Sequence, residues 1–293
     1  MKICPGCSHR FDTPGWSCPA CTGAPVSVSG FTSFLHEEDD GQGGFDARYF
    51  PELYRLEEGH FWFRHRTGII LKAIDRYAPN AQIALEVGCG TGVVLAAIRR
   101  AFPRMGLSGS DLFAQGLTYA QARVPDAVFY QMDACRMPFE EEFDLILALD
   151  VLEHIGDDKK ALEEINRSLK PGGHVIVTVP QHPWLWSVQD EKAFHQRRYT
   201  RKGLVGMMND TGFEIRHATS FTTLLLPVMA ASRLAASVLP RAATGHDPLR
   251  ELRIAPALNR VFHGICMMEK RLLDRGLSPR AGGSLLCVGK KVD

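Results

Sequence analysis

Leu85-Glu86-Val87-Gly88-Cys89-Gly90-Thr91-Gly92 follows a short apolar run and leads directly into a helical segment, Val93 to Ala101. Glycines at 88, 90 and 92 let the backbone turn sharply and approach a ligand with no Cβ in the way. A dinucleotide-binding turn spaces its glycines G-x-G-x-x-G, whereas here the spacing is G-x-G-x-G with an acid, Glu86, just ahead of it. A lone glycine turn carries little by itself, so its partners must come from the rest of the chain.

The 293 residues suffice for one large domain with an appendage or for two smaller domains. A composition of 45% hydrophobic and 23% charged residues is that of a soluble globular protein. The formal net charge of +1 gives no long-range field to gather nucleic acid. Met1-Lys2-Ile3-Cys4-Pro5 opens without an apolar signal region, so a cytoplasmic setting is expected, with an option of contact with the inner face of the membrane. In a reducing compartment the eight cysteines read as metal ligands or buried thiols.

Cys4-Pro5-Gly6-Cys7 and Cys18-Pro19-Ala20-Cys21 are two C-x-x-C knuckles separated by ten residues. Four thiolates so spaced suit a structural, tetrahedral zinc ion, and no thioredoxin-like pattern surrounds either knuckle. So short a module buries too little apolar surface to fold without its ion. Cys89, Cys135, Cys266 and Cys287 lie among apolar neighbours and read as core thiols.

The zinc ribbon is expected over residues 1–26 and an acidic, glycine-rich linker over 27–48, centred on His36 to Asp46. An aromatic and basic segment, Tyr49 to Arg66, should continue into a helix through Tyr77. Strands are predicted at 83–87, 106–110, 128–132, 143–149, 174–179, 214–219 and 284–289, with helices at 93–101, 113–122, 158–169 and 201–210. Short apolar strands alternating with helices indicate an α/β, doubly wound, Rossmann-like sheet over 49–293. A helical insert, residues 223–282, separates the last two strands. It opens with the apolar run Leu224 to Ala231, and residues 240–293 hold ten Lys/Arg against five Asp/Glu. Such an insert suits either a cap packed on the sheet or a surface lying on an anionic membrane.

In a doubly wound sheet, ligands bind beyond the carboxyl ends of the strands. Asp111 closes the second predicted strand, where a carboxylate can accept ribose hydroxyls or cap the next helix. Asp133-Ala134 ends the third and Asp150-Val151-Leu152-Glu153-His154-Ile155 follows the fourth. Glu86–Gly92, Asp111, Asp133-Ala134, Asp150–Ile155 and Leu169–Gly173, taken in order, resemble the successive motifs of class I S-adenosylmethionine (SAM)-dependent methyltransferases of the small-molecule type. The likeness covers residues 60–220 and the final strand. It implies a seven-stranded sheet of order 3-2-1-4-5-7-6 and a SAM site built from Glu86, Gly88, Gly90, Gly92, Asp111, Leu112, Asp133, Ala134 and Asp150. Phe61-Trp62-Phe63-x-x-Arg66 is similar to a segment of bacterial members, which implies that Trp62 covers the cofactor and Arg66 meets its carboxylate. Packing of that aromatic segment on the domain is the alternative for Trp62.

Methyl transfer asks the protein to align a nucleophile, exclude water and often accept a proton. His154, His195 and His182 are candidates for that proton, in that order of preference. Asp150, Glu153 and His154 also resemble the divalent-ion set of ubiquinone O-methyltransferases, with Asp150 a departure from the usual glutamate; this admits Mg2+ as a doubtful second ion. Trp184, Trp186, Arg197, Arg198 and Tyr199 form a candidate acceptor wall for a ring-bearing or anionic compound. The expected reaction is methyl transfer from SAM to oxygen, or to nitrogen, of a small or lipid-linked acceptor. Two alternatives stand beside it: an RNA methyltransferase that reads its substrate through the ribbon, and a SAM-binding partner protein without turnover, docked for example on a carrier protein.

Overall fold

Strands buried on both faces read as near-continuous apolar runs, and two such runs lie at the centre of a single large sheet. The computed structural model describes residues 1–35, 46–238, 249 and 252–292. The strands are β1 (Lys2–Ile3), β2 (Arg10–Phe11), β3 (Val26–Val28), β4 (Phe31–Ser33), β5 (Ile83–Val87), β6 (Gly106–Asp111), β7 (Val128–Gln131), β8 (Phe143–Leu149), β9 (Leu169–Pro180), β10 (Phe213–Phe221) and β11 (Ser284–Lys291). The helices are α1 (Phe50–Leu56), α2 (Phe61–Tyr77), α3 (Val93–Ala101), α4 (Ala114–Arg123), α5 (Asp158–Ser168), α6 (Val188–Lys192), α7 (Arg201–Asp210), α8 (Leu226–Val238) and α9 (Pro256–Asp274).

The large sheet runs β10-β11-β9-β8-β5-β6-β7-β4-β3. Strands β4 to β9 pair in parallel, while β11 runs antiparallel to both β9 and β10. The chain leaves β5 toward β6 on one side and returns to β8 on the other, so the strand order reverses beside β5 and opens a crevice there. Leu85, Leu145, Ile146, Leu147 and Ile176 are fully buried in this sheet. One core layer packs α2, α3 and α4 against one face, through Ile70, Ile74, Leu95, Ile98 and Leu117. The other layer packs α5 and α7 against the opposite face, through Leu162, Ile165, Leu204 and Met208.

Two expectations are corrected. The sheet has nine strands among the described residues, because β3 and β4, placed by the sequence in a linker, form a hairpin whose Thr32 and Ser33 pair in parallel with β7. The acidic core of that linker, residues 36–45, lies outside the described residues. The segment from Tyr49 to Tyr77 is two helices, broken where His60 caps α2 by accepting from the Trp62 N–H. Within the insert the structure describes α8 and α9.

Residues 1–25 form a small lobe around β1 and β2. It docks on the segment that joins β7 to β8. The Ile3 N–H donates to the Pro138 carbonyl at 3.0 Å, and the Glu140 N–H donates to the Met1 carbonyl at 2.9 Å. Trp16 meets Phe34, Tyr130 and Phe139 edge to face, with ring centroids 4.5, 6.0 and 5.7 Å away.

Candidate active site

The glycine turn owes its shape to contacts a side chain would prevent. Gly88 has φ +65°, and a Cβ there would lie 2.4 Å from Val151 Cγ2. Gly92 has φ +74° and starts α3, with Ala120 of α4 where its Cβ would be. Thus Gly88 shapes the cavity floor, while Gly92 serves helix packing and does not line the cavity.

Beyond the turn lies a cavity of about 640 Å3 at the carboxyl ends of β5, β6, β7 and β8. Of the predicted cofactor residues, Arg66, Glu86, Gly88, Gly90, Asp111, Leu112, Asp133, Ala134 and Asp150 line it. Trp62 and Gly92 do not. Trp62 instead stacks on the Arg66 guanidinium at 4.9 Å.

Asp111 organises the turn. Its Oδ2 accepts from the Gly90 N–H and its Oδ1 from the Phe113 N–H, both at 2.9 Å. Burial raises its pKa against the opposing pull of those two amides. Glu86 is buried, and its Oε2 has no hydrogen-bond partner. Burial pushes this carboxyl up to about 8, with Arg66 opposing and the nearby Glu57 reinforcing. Arg66 Nη1 donates to Asp150 Oδ2 at 2.6 Å, and Thr178 Oγ1 donates to the same oxygen at 3.0 Å. Asp150 itself sits at φ +55°, a left-handed conformation that costs energy in a non-glycine residue and recurs at functional sites.

The sequence reading missed the wall beside the turn. Phe50, Leu53 and Glu57 bring α1 over the cavity. Arg123 Nη1 donates to Glu57 Oε2 at 2.6 Å, Thr91 Oγ1 bonds the same oxygen, and the guanidinium lies 4.0 Å over the Tyr54 ring. Cys89 and Cys135, read as core thiols, both line the cavity.

The three candidate histidines separate. His154 lines the cavity, and its carbonyl accepts from Gln196 Nε2 at 2.9 Å. His195 packs edge to face on it at 4.8 Å and bonds Asp190 Oδ1 through Nδ1 at 3.0 Å. Burial tends to raise Asp190, but the His195 bond and the Arg198 charge hold it down at about 2. His182 is turned away at φ +64°, stacked beside Trp184, and does not line the cavity.

None of Trp184, Trp186, Arg197, Arg198 and Tyr199 lines the cavity. Arg197 Nη1 pairs with Asp158 at 2.8 Å, and the Tyr199 hydroxyl donates to Asp158 Oδ2 at 2.6 Å. Arg198 Nε pairs with Asp190 at 2.7 Å, and Trp184 is 63% exposed. Through these bonds Arg197, Arg198 and Tyr199 tie the 181–200 loop to Asp158 and Asp190. In the candidate Mg2+ set, Asp150 Oδ2 is already shared by Arg66 and Thr178. The side chains that do converge are Glu153, His154 and His195, a nitrogen-rich group that suits Mg2+ poorly.

In the N-terminal lobe, the Cys4, Cys7, Cys18 and Cys21 sulfurs all lie within 4.8 Å of one another. Sγ of Cys4 is 3.5 Å from that of Cys21, and Sγ of Cys7 is 3.7 Å from that of Cys18. A tetrahedral zinc with 2.3 Å bonds sets sulfurs about 3.8 Å apart, so the cluster fits that ion.

Residues 85–177 match a family model described as a methyltransferase domain. The stretch from β5 to β9 is thus similar to a methyltransferase domain. The chain is 26% identical over 163 residues to a SAM-dependent methyltransferase of Mycolicibacterium smegmatis, a match covering 55% of this chain and 62% of the relative. It is 34% identical over 138 residues to trans-aconitate 2-methyltransferase of Methylobacterium radiotolerans, covering 46% of this chain and 51% of the relative. The chain therefore spans between about half and two thirds of the length of these curated relatives. Among solved structures, a chain from the complex of the Haloferax volcanii Trm112 methyltransferase activator with a methyltransferase superposes with a TM-score of 0.55. That match has 20% identity and covers 84% of this chain and 97% of the other, a likeness of fold.

Proposed function

We propose that this chain transfers a methyl group from SAM to an oxygen or nitrogen of a neutral, small or lipid-borne acceptor. The observation that carries the proposal is the charge of the cavity. Glu57, Glu86, Asp111, Asp133, Asp150 and Asp157 line it, and only two of them meet an arginine: Asp150 pairs with Arg66 and Glu57 with Arg123. An acidic cavity favours a cation, and bound SAM supplies an electrophilic methyl group on a positively charged sulfur. The exposed peptide at Gly88 and Gly90 admits a ligand against the main chain. Asp111, already oriented by two backbone donors, has the position and charge to accept from a ribose diol. The unpartnered Glu86 Oε2 gains a donor if the ligand brings an ammonium group. At the cavity mouth His154 can accept a proton from the acceptor, with Gln196 holding its backbone. With Arg197 and Arg198 bound to carboxylates, no free cation among the described residues waits in the cavity for an anionic acceptor. The ribbon likewise offers little to RNA: Lys2 Nζ donates to the Thr13 and Gly15 carbonyls, and Arg10 pairs with Glu140.

Asp111→Ala removes a charged acceptor and releases two amides of the turn, so SAM affinity should fall about 100-fold or more by calorimetry. Affinity within threefold of wild type would remove the ribose from this position. His154→Ala should leave SAM affinity intact and slow transfer of label from SAM by about 10²- to 10⁴-fold. An unchanged rate would show that the proton leaves without this imidazole.

A further inference from the structure

We infer that the insert between β10 and β11 docks the protein on the surface of an anionic lipid bilayer. The starting point is the composition of α8. From Leu224 to Val238 the only charge is Arg233 and the only other polar residues are Ser232 and Ser237, so the segment is predominantly apolar. Helices of that kind are either buried in a protein core or immersed in lipid. This one is not in the core. Leu234 is 71% exposed and Val228 51%, while Leu224, Pro227 and Ala231 also face outward. Its anchorage lies at its start, where Leu225 is buried and the Leu224 N–H donates to Glu269 Oε2 of α9 at 2.8 Å.

Helix α9 presents a second exposed face. Its inner side packs on α2, through buried Cys266 and the His65–Glu269 pair at 3.3 Å. Its outer stripe follows helical spacing through Ala257, Val261, Gly264, Met268, Arg271 and Arg275, all exposed. Val261 is 57% and Met268 53% exposed, and exposed Leu258 and Arg260 flank them. This stripe carries arginines and no acid. Asp274 lies off it and pairs with Lys270 at 2.7 Å. Arg260, Arg271 and Arg275 form no ion pair among the described residues, leaving three guanidinium groups beside an apolar strip. That pairing of aliphatic side chains with unneutralised cations matches the acyl and headgroup layers of an anionic leaflet. A second protein copy would meet the same three cations with three of its own. Helix α8, at 13 residues, is about 20 Å long and too short to cross a bilayer, and no described helix is long and apolar enough to span one. Docking is therefore interfacial.

The surface is also tied to the segment that follows α1. Asn259 of α9 accepts from the Phe61 N–H at 2.8 Å and donates to the Gly59 carbonyl at 2.9 Å, just beyond α1, whose Phe50 and Leu53 line the cavity. A lipid-borne acceptor would then enter beside α1; that last step rests on the proposed methyl transfer, whereas the docking does not.

Flotation of the full chain with vesicles tests the docking without measuring activity. We expect binding to phosphatidylcholine vesicles containing phosphatidylglycerol and much weaker binding to phosphatidylcholine alone. Arg271→Gln and Arg275→Gln should each weaken binding about fivefold. Val228→Glu with Leu234→Glu should weaken it at least tenfold at unchanged circular dichroism, because both side chains are exposed. Absence of binding to either vesicle, or binding indifferent to all four substitutions, overturns the inference. So does a solution dimer that Leu234→Glu dissolves while vesicle binding is absent, since the face would then belong to a second copy.

Discussion

Replacing Glu86 by glutamine should make the ligand-free protein more stable at pH 8 and at the same time weaken its hold on SAM. The carboxyl is buried, lacks a partner for Oε2, and titrates at about 8 rather than at its ordinary value of 4.5. A carboxyl with a raised folded-state pKa keeps its proton in the folded chain while the unfolded chain has lost it. Across the window from 4.5 to 8 the folded state binds the extra proton, so stability falls as pH rises through that window and the full penalty stands above it. At 1.36 kcal/mol per unit the penalty is on the order of 3 kcal/mol at pH 7 and 5 kcal/mol at pH 8 and above. Glutamine cannot ionise and removes it. Thermal melts should therefore show the variant gaining roughly 5–10 °C over wild type at pH 8 and little at pH 5. A variant that melts lower than wild type at pH 8 would mean the carboxyl is satisfied in the folded protein.

The same substitution reports on function. A cationic ligand favours the ionised carboxylate, so below pH 8 wild-type binding must first expel a proton. Affinity for SAM should rise with pH by up to tenfold per unit until about 8, and the variant should lose that part of the slope. Its affinity at pH 8 should be about 10- to 100-fold lower, the usual cost of a lost charge-assisted hydrogen bond. Equal affinities with equal slopes would place the positive charge elsewhere in the cavity. The instability of the empty site is thus what ligand binding relieves, and the two halves of the experiment stand or fall on one carboxylate.

How much of this was legible in the sequence follows from how local each signal is. The glycine turn, Asp111 and Asp133-Ala134 act through backbone conformation and strand ends, which a few consecutive residues determine. Their placement in one cavity follows from strand tips being neighbours. Glu57 was invisible for the opposite reason. Next to Glu58 it reads as part of a solvated acidic pair, and only Arg123, 66 residues away, draws it inward with Thr91. Arg197 and Arg198 are ambiguous in the other direction. Arginine beside aromatic residues looks the same whether it awaits an anion or already holds one, and Asp158 and Asp190 settle the matter from outside the local segment. The hairpin of β3 and β4 eluded detection because two three-residue strands carry almost no periodic signal, and their place is set by the exposed edge of β7. Phe50 and Leu53 belong to a helix that the aromatic pattern blurred into its neighbour.

Removal of metal should unfold the N-terminal lobe outright rather than loosen it. Its own core is Cys4, Phe11 and Cys18, with Trp16 against it, and its two strands have two residues each. Such a core cannot offset the entropy of ordering some 25 residues. In zinc-finger peptides the ion contributes roughly 10–16 kcal/mol of apparent binding energy, and that binding energy is the folding energy. We therefore expect one zinc per chain by native mass spectrometry, and loss of hydrogen-exchange protection at Ile3 and Cys18 on chelation or in Cys18→Ser. The consequence should extend into the cavity. Lys2 bridges to Phe139, and the Met1 and Ile3 backbones bond Glu140 and Pro138, at the end of the segment that begins with Asp133 and Ala134. With the lobe released, that segment loses its outer support but keeps its inner one, where Glu164 accepts from the Met137 N–H at 2.9 Å and Arg167 donates to the Met137 carbonyl at 2.5 Å. SAM affinity should then fall a few-fold, well short of the loss in Asp111→Ala, while β5 and β8 keep their exchange protection. Metal-free protein that retains protection at Ile3 would show that the four thiols hold the lobe without an ion. An unfolded lobe with SAM affinity unchanged would confine the ribbon's role to its own surface.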